Sequence, residues 1–122
     1  METFAFLLKT YGKDIKYAVR LLKTFNNYNV ENLKCFVVLP KIDEKMLVAS
    51  FSVKERANID ILYEEDFSGL TTEPINGISA GYINQEIVQL SFWEKQLAEN
   101  YFCLDSDAVF IRNFYRRDFM YD

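Results

Sequence analysis

The chain has 122 residues, 50% of them hydrophobic and 16% aromatic, enough for one domain with a bulky core and too apolar for intrinsic disorder. Its formal charge of -4 and pI near 4.9 argue against broad contact with nucleic acid or an anionic membrane surface. Histidine is absent, which excludes a Ser-His-Asp triad, a Cys-His pair and any histidine metal ligand within these residues.

Met1-Glu2-Thr3 carries no basic segment ahead of the first apolar run, so a secretory signal is not expected. No apolar run approaches the ~18 residues of a membrane-spanning helix, and the cytoplasm is the expected compartment. Phe4 to Leu8 is short and nearly continuous in apolar residues, the pattern of a strand buried on both faces. Lys9 to Lys13 follows as a polar turn, and Asp14 is placed to open a helix as its cap or first-turn acid. Ile15, Ala18, Val19, Leu22 and Phe25 recur at helical spacing and predict one apolar stripe that fades at Asn26-Asn27.

Leu33 to Leu39 predicts a second strand, stopped by Pro40. Asp43 is placed to cap a shorter helix near 44–50, against which Val48, Phe51 and Val53 count. Ile59 to Tyr63 predicts a third strand, closed by the acidic turn Glu64-Glu65-Asp66. Residues 68–81 hold three of the four glycines and the second proline, which reads as a loop. Ile83, Ile87, Leu90, Trp93 and Leu97 then predict a helix over roughly 81–99, with Asn84, Gln85 and Gln89 off its stripe. Tyr101 to Leu104 predicts a fourth strand, Asp105-Ser106-Asp107 follows it, and Ala108 to Ile111 resumes the apolar run. The terminal stretch mixes aromatics with Arg112, Arg116 and Arg117. It resembles a nucleic-acid surface only superficially, because stacking platforms need a surrounding positive groove.

Alternating strands and helices predict one α/β domain over residues 1–122, a mainly parallel sheet with flanking helices in the order 3-2-1-4. That order puts the first strand between Cys35 and Cys103, which keeps the two thiols beyond disulfide reach. Each cysteine sits in an apolar run and reads as a small buried side chain.

In open parallel sheets, ligands bind beyond the carboxyl ends of the strands where strand order reverses. Here that point lies between the first and fourth strands. Thr10 and Tyr11 follow one, Asp105 and Asp107 follow the other, and Glu65 and Asp66 line the same rim. Two residues apart in an extended segment, Asp105 and Asp107 would face one side. Paired carboxylates suit a hard cation, Mn2+ or Mg2+, which neutralises a diphosphate. A lone DxD is also an ordinary acidic turn. Tyr11 is suited either to stacking on a base or to packing. Gln85 lies either on a solvated face or against a sugar or nucleotide group in the cleft.

Taken in order, Lys9-Thr10-Tyr11 with Asp14, the Glu65-Asp66 turn, Gly81-Tyr82 with Gln85 and Gln89, and Asn100-Tyr101-Phe102-Cys103-Leu104-Asp105-Ser106-Asp107 resemble a bacterial GT-A-fold glycosyltransferase family, similar to enzymes that build surface polysaccharides. The resemblance runs along nearly the whole chain. It implies a Rossmann-like nucleotide-binding half that takes a nucleotide-diphosphate sugar as donor and a glycan or lipid-linked acceptor. It implies that Thr10, Tyr11 and Asp66 hold base and ribose, that Asp105 reaches ribose and metal, that Asp107 binds the metal, and that Gln85 lies near the sugar. Gln89 stands where the family pattern leads one to expect a lysine. The family continues into a second, acceptor-binding half beyond the DxD. The expectation is therefore a truncated unit that retains a nucleotide pocket and transfers sugar poorly, with exposed apolar sheet covered by a homo-oligomer or by the missing half. The competing expectation is a non-catalytic, doubly wound interaction or regulatory domain. A phosphoacceptor receiver would need acids after the first strand, and an aspartyl phosphatase would carry its DxD there.

Overall fold

The fold is built on Phe4–Lys9 (β1), whose apolar residues pack on both sides of the sheet. The computed structural model describes residues 3–67, 73, 75–95 and 97–120, without the side chains of 81, 82, 86, 90, 93 and 94. In chain order the remaining elements are α1 (Ile15–Tyr28), β2 (Lys34–Leu39), α2 (Glu44–Val48), β3 (Ile59–Tyr63), α3 (Ala80–Ser91) and β4 (Asn100–Leu104). The four strands form one sheet in the order β3-β2-β1-β4, and every pairing is parallel. The α/β class and strand order are those read from the alternation of strands and helices.

Strand alternation divides the core into two layers. Phe6, Leu8, Cys35, Val37, Leu39, Ile59 and Leu104 face α1 and α2, where Ile15, Ala18, Leu21, Leu22, Phe25 and Leu47 cover them. Ala5, Leu7, Phe36 and Val38 face the other way, against Phe67, Val88 and Phe92. The α1 stripe is as predicted with Leu21 added and Val19 half-buried. Pro40 ends β2 in an extended conformation and starts the short turn into α2. Of the predicted loop at 68–81, residues 68–72 and 74 lie outside the described residues; Ile75 and Ile78 pair around Asn76-Gly77, both with positive φ, and α3 already begins at Ala80.

The third helix departs from the predicted pattern. It ends at Ser91 and passes into a 3-10 turn over Phe92–Lys95, short of the expected residue 99. Among the described side chains its buried positions are Asn84, Val88 and, at the turn, Phe92, while Ile83 and Ile87 are half-buried and Leu97 is exposed. The cause is Phe92, whose ring sits 5.4 Å from Phe36 and 4.9 Å from Tyr101. Relative to Ile83 and Ile87, burying that ring turns the helix toward the face of Asn84 and Val88; Leu90 and Trp93 of the predicted stripe lie outside the described side chains. Asn84, expected on a solvated face, is carried inward by the same rotation.

Neither Cys35 nor Cys103 forms a disulfide. Cys35 is buried, and burial first, then the Asp60 charge, pushes its thiol far above the ordinary range. Cys103 is only half-buried, a correction to the expectation, because β4 is an edge strand covered incompletely.

After β4 the chain returns along α1. The Arg20 guanidinium donates to the Asp107 carbonyl at 2.9 Å, the Phe110 amide donates to Thr24 Oγ1 at 2.9 Å, and the Phe114 amide donates to the Tyr28 carbonyl at 3.1 Å. Residues 20, 24 and 28 lie one turn apart on the helix, so one tie per turn holds the strap. Beneath it, Phe6 is fully buried and meets the rings of Phe4, Phe25, Phe102, Phe110, Phe114 and Phe119 at centroid distances of 4.9–6.3 Å. Phe110, Phe114 and Phe119 of the terminal stretch therefore pack on the core. Phe6→Ala is expected to lower unfolding free energy by ~3–5 kcal/mol in urea denaturation. Phe102→Ala, at a ring 43% exposed, is expected to cost well under half of that. Equal losses at both positions would contradict the central place given to Phe6.

Candidate functional site at the carboxyl edge of the sheet

Parallel strands bring all four carboxyl ends to one edge, and the segments leaving them are tied to each other there. Gly12, with φ +48, directs its amide to Asp43 Oδ2 at 2.8 Å, which ties the β1–α1 turn to the β2–α2 turn. A side chain at Gly12 would be strained by that backbone angle. The Lys41 amide donates to the Glu65 carboxylate at 3.2 Å, and the Tyr63 hydroxyl donates to Glu44 Oε1 at 2.9 Å. That hydrogen bond to Glu44 is the main cause that pushes the Tyr63 hydroxyl above its ordinary value.

The strongest tie is Lys9 to Glu64. Lys9 is the last residue of β1, and its ammonium lies 3.2 Å from Glu64 Oε1 after β3, across the end of β2. The Lys9 side chain is 2% exposed and that of Glu64 18%. The same ammonium stands 5.0 Å over the Tyr11 ring. The sequence reading placed Lys9 in a polar turn. The strand in fact continues through it, and Lys9 shares the face of Ala5 and Leu7. A lysine in step with that alternation, facing an acidic turn two strands away, was the available signal.

Each predicted site residue can be placed on this rim. Thr10 is buried; its amide donates to the Val38 carbonyl at 3.0 Å, and its hydroxyl has no hydrogen-bond partner among the described residues. Tyr11 is half-buried, extended, and accepts from the Asp14 amide through its carbonyl at 2.9 Å. Asp66 is exposed in the 3-10 turn Glu64–Asp66, where its carbonyl accepts from Lys95 at 2.7 Å. Gln85 is half-buried in the second turn of α3. Asp105 and Asp107 are exposed directly after β4.

Register sets the relation between these groups. Leu8 pairs with Leu104, so Asp105 follows at the level of Lys9 on the neighbouring strand. Thr10, Tyr11 and Asp105 therefore leave adjacent strands side by side. Asp66 leaves β3, two strand spacings from β1, which is ~10 Å. The expectation that Asp105 and Asp107 share one side of an extended segment needs correction. The Ala108 amide donates to the Asp105 carbonyl at 3.0 Å, which closes a turn over residues 105–108. The acids occupy the first and third positions of that turn, and Arg20 pins it to α1 through the Asp107 carbonyl.

Half of the carboxylates named on this edge serve the fold. Asp43, Glu44, Glu64 and Glu65 all accept hydrogen bonds or an ion pair. The carboxylates of Asp14, Asp66, Asp105 and Asp107 accept none from other described residues. Among the described residues no group of three or more acidic or cysteine side chains converges as a ready metal cage. Two carboxylates still fit Mg2+ or Mn2+, which keep several waters and are completed by substrate phosphates.

No protein-family model matches this chain, and a search of curated proteins gave no match. Among the described residues no helix is long and apolar enough to cross a membrane. Removing one partner of a buried ion pair strands the other charge, at ~3–5 kcal/mol. Glu64→Ala is accordingly expected to lower unfolding free energy by ~3 kcal/mol, toward the low end because Glu64 retains some solvent. Adding Lys9→Met should restore most of the loss in the same denaturation assay. A double variant no more stable than Glu64→Ala would contradict the pairing.

Proposed function

We propose that this protein binds the nucleotide-diphosphate part of a sugar donor, as the donor-binding unit of a GT-A-type glycosyltransferase. The observation that carries this reading is the placement of two unpaired carboxylates, Asp105 and Asp107, in a pinned turn beside the tip of β1, where strand order reverses. The ordered resemblance of the rim segments supports it.

In this reading Thr10 and Tyr11 receive base and ribose at the end of β1. The Tyr11 ring, held under Lys9, offers a stacking face, whereas the Thr10 hydroxyl is buried and meets a ribose or base oxygen only if the tip of β1 opens. Asp66 closes the far side of the base pocket, and Gln85 lies toward the sugar. Asp105 and Asp107 hold Mn2+ or Mg2+ against the diphosphate. When bound, that cation neutralises the diphosphate and stabilises it as a leaving group. Without it, the two acids would repel the phosphates they face. The Arg20 tie keeps the turn in place whether or not ligand is bound, so binding does not have to order it. The acceptor belongs to the same reading as a glycan or lipid-linked hydroxyl.

Calorimetric titration with UDP and GDP, with and without Mn2+, tests the proposal. Metal-dependent binding is expected, weakened about tenfold or more in Asp107→Ala while the far-UV circular dichroism stays unchanged. Absence of binding to either nucleoside diphosphate under every metal condition overturns the proposal and favours a non-catalytic interaction domain.

A further inference from the structure

At the opposite edge of the sheet from β4, the surface between α2 and β3 opens into a cleft of about 340 Å³. Leu47, Val48, Phe51, Val53, Ile59 and Ile61 form its apolar walls. Two ionisable residues also line it, Arg56 and Asp60. Asp60 is neutralised from outside by Lys34, whose ammonium lies 3.2 Å away. Arg56 has no such counterpart: its side chain makes no ion pair or hydrogen bond with any described residue, and its Nε is buried without an acceptor. A guanidinium cannot discharge by losing a proton. The cleft thus combines an apolar lining with one uncompensated positive charge.

We propose that this cleft binds a small amphiphile bearing a single carboxylate, with its apolar body on the walls and its headgroup on Arg56. The carboxylate follows from geometry, since its two oxygens match the nitrogen fork of a guanidinium. A single negative charge follows from the single unpaired guanidinium, since Asp60, the other ionisable residue of the lining, is already paired with Lys34. Size follows from volume. A dry cavity of ~150 Å³ holds benzene, so 340 Å³ takes a body of about two rings or a medium-length alkyl chain. The site is separate from the carboxyl-edge turn at Asp105 and stands or falls without it.

Octanoate and 2-naphthoate are the probes, with octanamide as the neutral control, followed by amide NMR shifts of the whole chain. Saturable shifts are expected at Leu47, Phe51 and Ile59–Ile61. Arg56→Gln should weaken octanoate about tenfold, the loss typical of one charge-assisted hydrogen bond, and should bring it level with octanamide. Should glutamine unfold the chain, Arg56→Lys replaces it, and undiminished affinity there contradicts the fork. Absence of saturable shifts with the native chain overturns the proposal. So does equal binding of octanoate and octanamide, which reduces the cleft to general apolar association.

Discussion

The structure depends on the burial of β1 at the centre of the sheet, and within β1 on Phe6. Its ring joins the core under α1 to the strap that follows β4, because Phe110, Phe114 and Phe119 all pack against it. Edge-to-face contacts of this kind add ~0.5–1.5 kcal/mol each beyond the area they bury. The consequence reaches the rim. With the strap held below by rings and along α1 by Arg20, Thr24 and Tyr28, the turn at Asp105–Asp107 has both ends fixed. The acids are exposed, yet their backbone is not free.

Electrostatics at the carboxyl edge follow from the same crowding. Four segments leave the sheet together, and their amides and the Lys9 ammonium would be left unsatisfied without nearby acceptors. Asp43, Glu64 and Glu65 meet that need, so part of the rim's acidic charge is engaged by the fold. Asp14, Asp66, Asp105 and Asp107 stand out because the fold does not use their carboxylates, and of these Asp105 and Asp107 lie together beside the tip of β1. A group retained at an edge where ligands collect, with no structural task, is the proper candidate for one.

The sheet was legible because its strands are near-continuous apolar runs, a pattern that parallel strands buried on both faces impose and that turn residues punctuate. Pro40 and the Glu64–Asp66 turn gave two ends directly. Lys9 was misplaced because residue type outweighed alternation; a buried lysine violates the pattern unless its distant partner is known. The rotation of α3 was hidden for a related reason. Helical spacing measures only the helix, whereas Phe36 and Tyr101, on two other elements, decide which face turns inward. At the site, the residues beside β1 and β4 were legible from topology alone. The closed turn at 105–108 was not, since it rests on a hydrogen bond that a DxD in a strand extension would lack. The cleft at β3 has no sequence signature, because its walls come from α2, the following loop and a strand.

The central claim is that the turn after β4 and the tip of β1 form one cation-bridged nucleotide site. Paramagnetic broadening by substoichiometric Mn2+ in the presence of UDP reads this residue by residue. The account predicts that amide signals of Thr10, Tyr11 and Asp105–Ala108 disappear first, and that they persist when UDP is omitted. Broadening centred on other acidic turns, or identical with and without nucleotide, would contradict it.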